Sequence, residues 1–112
     1  MTAEKVEEIY DALVAGFIGR PGIGTGRMLS AEGLSYQGKY FAMLYRRTGL
    51  GLKLPAARVA QLRDGGVGLP FESGKGRVMR EWVVIPPEHD DRWDELADEA
   101  LTFAQRNATN RA

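Results

Sequence analysis

The chain of 112 residues contains no cysteine. That absence excludes disulfides, thiolate metal sites and a cysteine nucleophile. Histidine occurs once, at His89, so no catalytic or metal-binding pair of imidazoles can form within one chain. Long apolar runs are missing too. The longest, Tyr40 to Tyr45, has six residues, against roughly 20 for a bilayer-spanning helix. Glu4, Lys5, Glu7 and Glu8 stand where a signal peptide needs an apolar core, so a cytoplasmic protein is expected. Nor is there a surplus of charge: 15 Lys+Arg balance 15 Asp+Glu. What is present, 44% hydrophobic and 27% charged residues, is ordinary for a globular chain of single-domain length, here residues 1–112.

The zero net charge is a sum of unlike parts. Residues 1–19 carry one lysine against four acids, a net −3. Residues 20–80 carry eleven Lys/Arg against Glu32, Asp64 and Glu72, a net +8. Residues 81–112 carry three arginines against eight acids, a net −5. Two arrangements fit this pattern. Acidic helices pack near a basic sheet within the molecule, or basic strands face outward toward an acidic partner.

The apolar periodicity predicts the elements. Val6, Ile9, Tyr10, Leu13, Val14 and Phe17 recur at helical steps behind a Thr2 N-cap, and Arg20-Pro21-Gly22 stops that helix. Gly22 to Gly26 reads as a connector. Strands are expected at Arg27–Ala31, Leu34–Tyr36, Lys39–Arg46 and Leu50–Leu54, joined by turns too short for parallel crossovers. In the third, strict alternation puts Phe41, Met43 and Tyr45 on one face and Tyr40, Ala42 and Leu44 on the other. Both faces are apolar, so both need cover. Helices cover one; a later segment, a ligand or a second subunit covers the other. Pro55 suits the first turn of a second helix with Val59 and Leu62 inward. Gly68 to Gly76 reads as a loop anchored to the core by Leu69 and Phe71, followed by a strand from Arg77 to Ile85. A last helix starts near Asp90 with the stripe Trp93, Leu96, Ala97, Ala100, Leu101 and Ala104, and residues 107–112 read as a frayed tail. The fold class is α+β, an antiparallel sheet with helices in the order α, three to four β, α, one or two β, α.

The chemical motifs are weak. Gly22-x-Gly24-x-Gly26 follows a helix and precedes a strand, the reverse of a dinucleotide loop. Ser73-Gly74-Lys75-Gly76-Arg77 lacks the first glycine and the hydroxyl residue of a Walker loop, so a hairpin-like loop is expected. Asp90, Asp94 and Asp98 share a helical face, but such acids usually form a solvated surface rather than a cation site. No serine sits in a nucleophile elbow, and the carboxylates of the β region are isolated. No catalytic, cofactor-binding or metal-binding residue is assigned, and no enzyme is expected. Arg27, Lys39, Arg46, Arg47, Lys53, Arg77 and Arg80 are spread over strands and turns, with Tyr36, Tyr40, Tyr45 and Trp82 as rings that suit base stacking. Of these, Arg27, Lys39, Arg46, Arg47, Lys53 and Arg80 are the candidate contacts to a partner or nucleic acid. Lys53 alternates away from Leu50, Leu52 and Leu54, so it either snorkels to the surface or marks a binding groove. Lys39 falls on the parity of Phe41 and Met43.

Taken in order, Arg27-Met28, Gly33-Leu34-x-Tyr36, Gly38-Lys39-x-Phe41-Ala42, Leu50-x-Leu52-Lys53-Leu54, Gly68-x-Pro70-Phe71, Trp82 before Pro86, and Trp93-x-x-Leu96 to Ala100 carry a resemblance. From Arg27 to Ala104 the chain resembles the TfoX N-terminal domain family of the TfoX/Sxy competence regulators. It is similar, second, to the MmcQ/YjbR-like proteins, often labelled DNA-binding. The family often reads Met-Phe-Gly-Gly after the arginine, whereas Met28 here is followed by Leu29-Ser30-Ala31. The resemblance implies the stand-alone, single-domain version, with no cofactor and no established catalysis. It also implies that Met28, Gly33, Gly38, Phe41, Phe71 and Trp82 are structural. The expected role is a small regulatory or adaptor module acting through protein contacts, with a homodimer as one form of contact. The alternative is direct nucleic-acid binding, and the third a small-ligand sensor or enzyme.

Overall fold

The computed structural model describes residues 2–28, 31–46 and 48–110; the side chains of residues 27, 28, 31, 109 and 110 lie outside that description. The elements follow as α1 (Ala3–Phe17), β1 (Ile23–Met28), β2 (Ala31–Tyr36), β3 (Lys39–Tyr45), β4 (Gly49–Lys53), α2 (Ala56–Asp64), β5 (Leu69–Glu72), β6 (Val78–Ile85), a 3-10 turn (Pro87–Arg92) and α3 (Trp93–Asn110). The six strands form one antiparallel sheet in the order β1-β2-β3-β4-β6-β5. The class is therefore α+β.

The helices share one side of the sheet. Leu34, Ala42, Leu44, Leu50, Leu52, Val83 and Ile85 meet across the strands in register (Leu34↔Ala42↔Leu52↔Val83 and Leu44↔Leu50↔Ile85). They pack with Val6, Tyr10, Leu13 and Phe17 of α1, Val59 and Leu62 of α2, and Trp93, Leu96, Ala97, Ala100 and Leu101 of α3. The Thr2 hydroxyl accepts the Lys5 amide (3.2 Å) and caps α1. Trp93 is 1% exposed, and its indole N–H has no acceptor among the described residues. Leaving that donor unmet costs about 1–3 kcal/mol, which burial of so large a ring offsets.

Strict alternation fails in β3. Leu34 opposes Ala42 but Ser35 opposes Tyr40, so Phe41 is the extra residue of a β-bulge. The bulge moves Phe41 to the helix side, where it is fully buried with its ring 6.2 Å from that of Phe17. It also corrects the reading of Lys39. Lys39 pairs with Tyr36, on the parity of Leu34 rather than of Met43.

Other boundaries differ for identifiable reasons. Gly22 to Gly26 is not a mere connector: from Ile23 onward it is edge strand β1, because hydrogen-bonded pairing with β2 outweighs the poor strand propensity of glycine. Leu69 to Glu72 is a strand rather than loop, and Leu69 is 51% exposed instead of anchored. Pro55 is the N-cap of α2, not its first turn. The chain after Ile85 passes through the 3-10 turn before α3 begins at Trp93, so Asp90 precedes the helix. Residues 107–110 are still helical where fraying was expected.

Candidate functional site

The side of the sheet away from the helices carries a second apolar cluster: Met43, Phe71 and Val84, with Tyr45, Met79 and Trp82 packed against them. It forms because the strand floor there is made of glycine. A Cβ on Gly51 would lie 2.7 Å from Phe71 Cε2, and one on Gly33 would lie 2.8 Å from Tyr40 Cδ1 and 2.9 Å from the Ala42 carbonyl oxygen. Hydrogen at these positions lets the rings settle against the backbone. Phe71 sits between Tyr45 (4.7 Å between centroids) and Trp82 (5.1 Å). The Tyr45 hydroxyl donates to the Glu72 carbonyl (3.4 Å) and accepts the Glu72 amide (3.3 Å), tying β3 to β5. A later segment of the chain thus covers part of this second face, one of the covers the sequence left open.

Cations surround the rings. The Arg46 guanidinium lies 4.9 Å over the Tyr45 ring. Lys53 pairs in register with Trp82. Lys53, Arg77 and Arg80 line a surface groove with Val78, Met79 and Trp82, in which Glu81 is the one acid. On β1 to β4 the positions of this face hold Gly24, Gly26, Gly33, Ser35, Tyr40, Met43, Tyr45, Gly49, Gly51 and Lys53, none of them acidic.

The opposite side is acidic, and its basic partners are of a different kind. Arg20 reaches Asp98 of α3 at 2.8 Å and lies 4.2 Å over Phe17. Arg58 of α2 grips Glu99 with two bonds of 2.9 and 3.0 Å, and this hydrogen bonding pushes its already high pKa further up despite partial burial. Arg20, from the α1–β1 connection, and Arg58, from α2, pair with acids of α3, while Arg46, Lys53 and Arg80 lie by the rings on the other side of the sheet. Tyr10, on the buried face of α1, has its pKa raised well above the ordinary phenol value by burial first, then by Glu32, Asp11 and Tyr40.

The candidate contacts divide accordingly. Arg46, Lys53 and Arg80 belong to the ring-bearing side. Lys39 lies at the end of the β2–β3 hairpin, lining a separate cavity with Tyr36, Tyr40 and Lys53. The side chain of Arg27 and all of Arg47 lie outside the described residues, as does the side chain of Met28. Of the family-motif residues, Gly33 lies under Tyr40, Gly38 takes the positive φ of the hairpin turn (+85°), Phe41 is in the main core, and Phe71 and Trp82 are in the second cluster. The alternation that set Met43 beside Tyr45 on one face of the third strand holds in this cluster, which also brings in Val84 of β6. Among the described residues no group of three or more acidic or imidazole side chains is placed to hold a metal, and no helix is long and apolar enough to cross a membrane. Comparison with known protein families, with curated proteins and with solved structures finds no match for this chain.

Proposed function

We propose that the chain is a small, non-catalytic, cytoplasmic regulatory or adaptor module that docks an acidic protein surface on the ring-bearing face of its sheet. The regulatory role is the one implied by the resemblance to the TfoX N-terminal domain. The observation that carries the reading is the two-sided charge. Arg46, Lys53 and Arg80 adjoin a face whose β1–β4 positions hold no acid, while the acids of α1 and α3 lie on the helix side. The apolar part favours protein as the partner. Leu69 (51%) and Val78 (42%) are exposed at the β5–β6 edge of the sheet, and Phe71 already engages the rings of Tyr45 and Trp82. A second copy is the less favourable occupant, since a two-fold contact through this face would set these cations against themselves.

Nucleic acid is the second reading. It is favoured by Tyr40, whose ring lies against Gly33 as a stacking platform beside Lys53. Backbone NMR mapping separates the two. Titration with an acidic peptide should shift the amides of Tyr45, Gly51, Lys53 and Trp82, and Lys53→Glu with Arg80→Glu should abolish the shifts. The same shifts with a single-stranded oligonucleotide alone, falling steeply with salt, would transfer the proposal to nucleic acid. Shifts confined to the helices, or none with either probe, would refute the docking face.

A further inference from the structure

Two lysines meet where, among the described residues, no acid lines their cavity. Lys39 and Lys53 line one cavity of about 140 Å³ with Tyr36, Gln37, Tyr40, Ala104, Asn107 and Ala108. The β3 bulge places Lys39 on the parity that faces α3, and the Gln37-Gly38 turn, with φ of +49° and +85°, fixes where β3 begins. Along α3 the acids stop at Glu99. Upstream, Asp98 and Glu99 satisfy Arg20 and Arg58. Downstream, the described side chains that α3 offers to the cavity are those of Ala104, Asn107 and Ala108. Among the described residues neither lysine makes an ion pair or a hydrogen bond.

We infer that this cavity is a binding site for a small oxyanion of the phosphate type. Its volume exceeds the roughly 30 Å³ share of one water and falls below the roughly 300 Å³ of pockets that hold larger ligands. A single phosphate group fits that interval. The two ammoniums supply charge-assisted donors, and Tyr36 and Asn107, which also line the cavity, are residues that carry neutral donor groups. The small side chains of Ala104 and Ala108 leave the space open. The phosphate arrives either as free orthophosphate or as the terminal group of a phosphomonoester. The cavity shares Lys53 with the groove beside Trp82, but Lys39 lines the cavity and not the groove, so Lys39→Gln separates this site from the docking face.

The test is NMR titration of the full chain at low ionic strength with inorganic phosphate, with glycerol phosphate, and with acetate as a charge control. Saturable shifts at Lys39, Lys53 and Asn107 are expected with phosphate and not with acetate. Lys39→Gln and Lys53→Gln should each weaken binding about tenfold, the loss of roughly one charge-assisted bond, and Lys39→Arg should keep most of it. Saturation by inorganic phosphate identifies the free anion as sufficient, and saturation by glycerol phosphate alone identifies an esterified ligand. No saturable shift with either phosphate, or an unchanged affinity in both glutamine variants, overturns the proposal. So does a lowered melting temperature in those variants with no phosphate effect in the parent, which would assign the lysines to the α3 C-terminus alone.

Discussion

The two sides of the sheet solve the same problem with different means. On the helix side, three helices bring their own apolar stripes, and Leu34, Leu50, Leu52 and Ile85 are fully buried. On the other side, among the described residues, no helix packs against the cluster. The backbone itself is thinned to glycine, and rings from β3, β5 and β6 lie on it. The first solution seals the surface; the second leaves Tyr45 and Trp82 half-buried beside cations. The comparison teaches that an apolar strand face can be stabilised from within the sheet and still remain available for contact.

The largest break in that comparison is truncation of matched side chains. Leu52→Ala should cost about 3–5 kcal/mol in chemical denaturation, as expected for a cavity in a closed core. Phe71→Ala should cost about 2 kcal/mol, because one side of its cluster is already open to water. Equal costs would show the second cluster to be as closed as the first. Gly33→Ala comes next, at about 1–3 kcal/mol. Its methyl group would meet the Ala42 carbonyl oxygen, which the β2–β3 ladder prevents from moving. Arg58→Ala tests how the acidic helix is held. The bidentate pair with Glu99 is partly exposed (30% and 41%), so a loss of about 1 kcal/mol that shrinks with added salt is expected.

The smallest effect is one of pH. Tyr10 has its pKa raised in the folded state, so the unfolded chain loses its phenol proton first as pH rises. Stability should be undiminished by this group below about pH 10, the ordinary phenol value, and should decline above it. In Tyr10→Phe the alkaline limb of a stability–pH curve should be flatter. An identical limb in both proteins would show that Tyr10 does not set it.

Much of this fold was legible as pattern. The stripes of α1 and α3 and the turns at Gln37-Gly38 and Gly65-Gly66 carry local chemistry that a single chain displays. β1 was not legible, because Gly24 and Gly26 have no strand propensity of their own and pair only because β2 lies alongside. The candidate site was legible in composition, as rings and cations in the basic middle of the chain, but not in grouping. Lys53 stood out through its alternation against the leucines. Its partition between the Trp82 groove and the Lys39 cavity depends on how the strand ends meet α3.

The amino-acid sequence by itself determined the apolar alternation, the helix boundaries near Thr2 and Gly65, and the placing of acids on the first and last helices. These depend on residues close along the chain. Only the tertiary structure decided which side Phe41 and Lys39 take, because a bulge belongs to the pairing of two strands and leaves no mark on either alone. It alone also decided that Arg20 and Arg58 are spent on α3 while Lys39 and Lys53 are not. Charge pairing depends on distances across the fold, and α3 has no acid left where those lysines arrive.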